Sequence, residues 1–152
     1  MKRAVHGFTM VELILVMVLI GVLAAIGVPR LMGDNGMAAA AFGEEVIGAL
    51  RTAQKTAVAR RRLVCASVGA TEVTLSMAAK PGEGCSIALD ADRYATKAAG
   101  VTASTHTLYF QPNGLITSSA ALRDTVNGSI AIRLDGKPVR TIGFVGSTGH
   151  VQ

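Results

Sequence analysis

The sequence has no tryptophan, and four Phe and two Tyr bring its aromatic content to only 4% of 152 residues. A chain so poor in aromatics cannot build the run of stacked rings by which proteins grip single-stranded nucleic acid. Charge is also sparse, at 16% against an ordinary share of about a quarter. With 50% hydrophobic residues, this balance excludes intrinsic disorder. There are two cysteines and no CxxC, so a thiolate zinc site is not expected. Absent too are a GxSxG elbow, an HExxH pair, a GxxxxGK[ST] loop and a GxGxxG fingerprint. His6, His106 and His150 show no metal-ligand spacing. The expectation is a protein that is not an enzyme and holds neither metal nor cofactor. No internal repeat is evident, and the length suits one domain of ordinary size.

What the chain does have is apolar sequence concentrated at one end. Residues 13 to 28 read LILVMVLIGVLAAIGV, sixteen positions without a charge or a hydrogen-bonding side chain. Counted from Phe8 the stretch is 21 residues, or roughly 31 Å of helix, close to the hydrocarbon thickness of a bilayer. A cleaved secretory signal would use Lys2 and Arg3 as its basic start and Ala25-Ile26-Gly27 as its cleavage site. A buried core helix would need a larger protein around it. A retained membrane anchor is favoured by the residues just before the run.

Those residues are Gly7-Phe8-Thr9-Met10-Val11-Glu12. A carboxylate at the centre of a membrane helix costs about 2.5 to 3.5 kcal/mol on insertion scales, so Glu12 calls for a partner. Phe8 and Glu12 are four residues apart and would share a helical face. A cut between Gly7 and Phe8 would create a positive α-amino group at the start of that face. In a neighbouring helix the same group could neutralise Glu12 within lipid.

The pattern G-F-T-x-x-E ahead of an apolar stretch resembles the leader of type IV pilins and pseudopilins. The resemblance implies cleavage after Gly7 by a prepilin peptidase and N-methylation of Phe8, with Glu12 supporting methylation or pairing during assembly. Pro29 falls where such proteins carry a helix-kinking proline. Further matches resemble the GspH/FimT group of minor pseudopilins of type II secretion and minor type IV pilins. They are Leu50-Arg51-Thr52-Ala53-Gln54, the strand carrying Cys65, the run from Leu108 to Gly114, and the ending Thr148-Gly149-His150. The implied partners are prepilin peptidase, other pilins or pseudopilins in a filament, and an inner-membrane assembly platform. Members of that group often end in an Arg-containing segment that, in one branch, contributes to DNA binding; here the end reads Gly149-His150-Val151-Gln152.

Lys2 and Arg3 should remain cytoplasmic under the positive-inside bias, which places the residues after about 30 in the periplasm of a single-pass inner-membrane protein. In that oxidising compartment Cys65 and Cys85 are best read as a disulfide, with two separate buried thiols as the alternative. The formal charge of +5 falls to +3 once the leader is gone. A basic patch of Arg123, Arg133, Lys137 and Arg140 near the last hairpin is the competing reading, a DNA-binding minor pilin for DNA uptake.

Gly33-Asp34-Asn35-Gly36 marks a helix interruption. Helical periodicity then resumes, with Phe42, Val46, Ala49, Leu50, Ala53 and Ala57 on one face. Glu44, Arg51, Lys55 and Arg62 lie within about 40° of each other on the opposite side. That polar stripe reads as a solvated face, or more sharply as a contact surface for neighbouring subunits. Glu44 and Glu45 near the start and Arg60, Arg61 and Arg62 at the end suit the helix dipole. Strands are expected over 63–68, 72–77, 85–89, 107–111, 129–134 and 139–145, with turns at Asn113-Gly114, Asn127-Gly128 and Asp135-Gly136. Residues 91–105 read as a long loop, and Gly146-Ser147-Thr148-Gly149 as a terminal turn and not a phosphate cradle. The expected organisation is a leader over 1–7, a transmembrane and filament-core helix over 8–28, a kink or hinge over 29–35 and a periplasmic pilin-like domain over 36–152. The fold class is α+β, a long N-terminal helix packed on antiparallel sheet.

Overall fold

A computed structural model describes residues 9–32, 35–89, 94–120 and 124–152, the side chains of 28–32 apart. The chain divides into two compact units, Met1–Asp34 and Asn35–Gln152. The first contains one helix, α1, over Met10–Met32. It runs through Pro29 instead of ending near Val28. A proline inside a helix removes one backbone hydrogen bond and crowds the carbonyl four residues back, which bends a helix without having to end it, so a continuous α1 is compatible with the kink expected at Pro29. Much of the expected 29–35 hinge is therefore helix, since the next helix begins at Asn35. Positions 33 and 34 of the expected interruption lie outside the described residues.

The second unit opens with α2 over Asn35–Arg60. All six residues of the expected apolar face are buried, and Ala39, Gly43 and Ile47 extend that face. Small residues there let the helix lie close to the sheets. Because α2 begins at Asn35, Glu44 and Glu45 sit more than two turns inside it, beyond the reach of the N-terminal dipole. Arg60, in the last turn, does complement the C-terminal end. The helix stops without glycine: Arg61 adopts φ 52°, and the Arg62 amide donates back to the Ala57 carbonyl at 3.2 Å. This left-handed close removes Arg62 from the helix, and with it one member of the expected polar stripe.

Nine strands follow among the described residues. They are β1 Val64–Val68, β2 Val73–Ala78, β3 Cys85–Leu89, β4 Val101–Ala103, β5 His106–Phe110, β6 Ile116–Thr117, β7 Gly128–Leu134, β8 Lys137–Val145 and β9 His150–Val151. They form two antiparallel sheets, ordered β3-β2-β1-β5-β6 and β4-β7-β8-β9. The six expected strands are present, each with ends within two residues of the expectation. In β1 and β2 alternate residues point inward, so Val64, Ala66, Val68, Val73, Leu75 and Met77 meet the helix side of one core. Ile130, Ile132, Ile142 and Phe144 supply the matching face of the second sheet. One hydrophobic core thus joins α2 to both sheets, which is the expected α+β arrangement of helix on antiparallel sheet.

Three strands lie where none was expected, and β4 falls inside the supposed 91–105 loop. Val101 and Ala103 are buried and the strand pairs with β7. The Asp135-Gly136 turn closes the β7–β8 hairpin with Leu134 opposite Lys137 and both turn residues at positive φ, 50° and 78°. That is the two-residue geometry whose twist matches a hairpin. Asn127-Gly128 is not a simple turn: Gly128 starts β7, where any β-carbon would stand 2.6 Å from the Phe144 ring. The two sheets are stitched at their ends by the Ile116 amide to the Gly146 carbonyl, 2.9 Å, and the Ala103 amide to the Ala70 carbonyl, 2.7 Å.

Candidate functional site: the anchor helix and its acidic first turn

Every residue of α1 from Met10 to Ile26 is exposed, although the segment Met10–Gly27 has a mean hydropathy of 2.7. A helix apolar on all sides and exposed among the described residues requires an apolar solvent or other helices around it. Eighteen residues span about 27 Å at 1.5 Å each, enough to cross most of a bilayer's hydrocarbon.

Thr9 sets the start of this helix. Its hydroxyl accepts the Glu12 amide at 3.2 Å, and its carbonyl accepts the Leu13 amide at 3.1 Å. Thr9 is therefore the N-cap and Glu12 the third helical residue, half of the reciprocal Thr-x-x-Glu box. Glu12 is the acidic residue of the first turn, where a carboxylate is favoured by the helix dipole. This position is at the end of the apolar span and not at its centre, which lowers the cost of carrying a charge there. Gly7 and Phe8, and with them the expected shared face of Phe8 and Glu12, lie outside the described residues. The capping role of Thr9 was missed at the level of sequence, although Thr-x-x-Glu before an apolar run is its signature.

Cys65 and Cys85 are bonded to each other, with Cα atoms 6.2 Å apart. The bond ties β1 to β3 across the intervening β2, beside the irregular register between Met77 and Ala78. The reading as two separate thiols is thereby set aside.

Of the basic residues proposed as a patch, the described three, Arg133, Lys137 and Arg140, do not share one face. Arg123 lies outside the described residues. Arg140 is on the helix-facing side of β8 and pairs through Nη1 with Glu44 Oε1 at 2.7 Å, its stem crossing α2 at Gly43. Lys137, opposite Leu134, shares that side, whereas Arg133 alternates to the outer face of β7.

The polar side of α2 is likewise partly committed within the molecule. Arg51 donates to the Val151 carbonyl through Nε and Nη2, and Gln54 Nε2 donates to the Gly114 and Thr148 carbonyls; just past the helix, Arg62 Nη1 donates to the Ala79 carbonyl. In the terminal turn, the Gly146 amide donates to Asn127 Oδ1, and the Thr148 and Gly149 amides donate to the Val145 carbonyl. Those donors are occupied by the fold and not held open for a phosphate. His106 sits on β5 with its ring 6.1 Å from that of Phe144, nearly perpendicular to it.

Residues 2–28 match the prokaryotic N-terminal methylation motif, the leader of type IV prepilins. Neither a curated protein nor a solved structure matches the chain.

Proposed function

From a chain that opens with a type IV prepilin methylation motif and an apolar helix, the mark of a type IV pilin or pseudopilin, we propose a minor member of that class, in the GspH/FimT group. Prepilin peptidase cuts between Gly7 and Phe8 and methylates the new terminus. The product is held in the bacterial inner membrane by α1, with its start cytoplasmic and the unit Asn35–Gln152 periplasmic. It is then drawn by an assembly platform into a type II secretion pseudopilus or a type IV pilus, together with other pilins. Its work is assembly and not catalysis.

The observation that carries this reading is α1 itself, exposed from Met10 to Ile26 with one carboxylate in its first turn. Apolar side chains on every face suit lipid first and a bundle of like helices afterwards. Glu12 remains the one group in that span that gains from a cation, and the amino group created at Phe8 of a neighbour is such a cation. Intact-mass measurement of the membrane-extracted protein tests the processing step. A chain beginning at N-methylated Phe8 is expected. An uncut chain, or one beginning after Gly27, overturns the reading. Deletion then separates the two systems, through loss of protein export or loss of piliation and twitching.

A further inference from the structure

The two sheets treat their open edges differently. The outer edge of β8 is covered by β9 only at Phe144 and Val145, with Gly143 and Gln152 exchanging backbone bonds just beyond. Over its remaining length, β8 carries Lys137, Pro138 and Arg140, the residue types that discourage another strand from adding. The outer edge of β3 has no strand partner among the described residues, and its sequence Cys-Ser-Ile-Ala-Leu contains neither charge nor proline.

This unprotected edge overhangs a groove. Ile87 pairs with Met77 and Leu89 with Leu75, so both face the helix side of the sheet, yet Ile87 is 42% exposed because α2 does not reach that far. Between the flank of α2 and the overhang lies a trough of about 320 Å³, lined by Thr52, Thr56, Arg60, Leu75, Ala88 and Leu89. Among the described residues its walls are hydroxyl and aliphatic, and Arg60 is the one charge there, without an ion-pair or hydrogen-bond partner among those residues.

We propose that β3 is a docking edge for an extended acidic segment of another polypeptide, which adds to the first sheet as a sixth strand. Backbone pairing to β3 supplies register, and every second side chain of the guest enters the trough. The trough takes small aliphatic groups beside Leu75 and Leu89, and a carboxylate where Arg60 stands. Charge complementarity selects this guest over a basic strand, which would meet Arg60 with like charge. The disulfide of Cys85 to β1 fixes the start of the edge, so little ordering remains to be done on binding.

The test uses the full chain in detergent micelles and an acetylated heptapeptide alternating serine and valine with glutamate at its centre. The readout is amide hydrogen exchange. At about ten times its Kd the peptide is expected to slow exchange in β3 by roughly tenfold, leaving the Lys137–Ile142 edge of β8 unchanged. A lysine-centred peptide should protect weakly, and Arg60→Glu should reverse that preference. Ile87→Lys should abolish protection, with unchanged exchange of core amides in β1 and β7 reporting an intact fold. Equal protection by both peptides, or none by the glutamate peptide, overturns the proposal. Slowing that appears without peptide and grows with protein concentration assigns the edge to a second copy and overturns it equally.

Discussion

The Arg51 guanidinium donates to the Val151 carbonyl at 3.3 Å from Nε and 3.0 Å from Nη2, joining residues 100 positions apart. The contact sets the end of the chain against α2, where Val151 pairs with Phe144 as part of β9. A two-residue strand has almost no cooperativity of its own, so its docking rests on such side-chain ties and on the buried Val151. Arg51→Ala should cost on the order of 1 kcal/mol, the net worth of an ordinary hydrogen bond with some solvent access. Exchange at the Gly143 and Gln152 amides should rise while β1 is unaffected.

Glu12→Val and Thr9→Ala separate two roles of the first turn. Removing the carboxylate should leave membrane insertion intact and impair incorporation into filaments. Losing the Thr9 hydroxyl should weaken the start of α1 by about 1 kcal/mol and leave incorporation largely preserved. Cross-linking yields of assembled subunits, compared between the two variants, check this. Normal incorporation of Glu12→Val would rule out the pairing role.

Gly149 adopts φ 68°, and a β-carbon there would stand 2.2 Å from the Gly114 carbonyl and 2.1 Å from Gln54 Nε2. Gly149→Ala should therefore destabilise by about 1–3 kcal/mol, combining backbone strain with a displaced loop. Gly43→Ala offers a contrast: its nearest obstacle is Arg140 Cδ at 3.0 Å, a side chain that can move. The helix gains up to about 1 kcal/mol of propensity. The lost Arg140–Glu44 pair, with side chains 35% and 67% exposed, is worth less than about 1 kcal/mol. Chemical denaturation should find Gly43→Ala near neutral and Gly149→Ala clearly unstable.

Cys65→Ser with Cys85→Ser should lower stability by about 3 kcal/mol in the chain-entropy model. The effect should be largest on β3, whose other strand partner is β2 alone. Denaturant midpoints with and without reductant provide the measurement.

Retention of duplex DNA by the full chain should be weak. Arg140 is engaged by Glu44, and Arg133 points away from Lys137. Gel shifts across a salt series are expected to show no steep dependence, the signature of multiple phosphate contacts.

Much of the fold was legible because it is written in local pattern. The α2 core face follows from the spacing of Phe42, Val46, Leu50 and Ala57, and the last hairpin from Asp135-Gly136, where left-handed residues suit the turn. β4 was not legible: Val101-Thr102-Ala103 is too short to show alternation and exists because β7 offers it an edge. Arg51, Glu44 and Arg62 read as a solvated stripe since their partners, Val151, Arg140 and Ala79, are distant or off the helix, and no helical wheel displays them. Glu12 is legible as a lone charge in an apolar run, whereas the cap made by Thr9 is a side-chain-to-backbone bond that hydropathy and charge patterns do not display.

In the filament proposed above, a subunit held at one end bears load, and the Cys65–Cys85 bond decides how it yields. The two cysteines are 20 positions apart and span β1 to β3. Pulled from its termini, the chain cannot pay out the segment they enclose, which withholds about 65 Å of contour length. Oxidised subunits should therefore show a shorter extension per rupture event than reduced ones, a difference that single-molecule force measurements resolve directly.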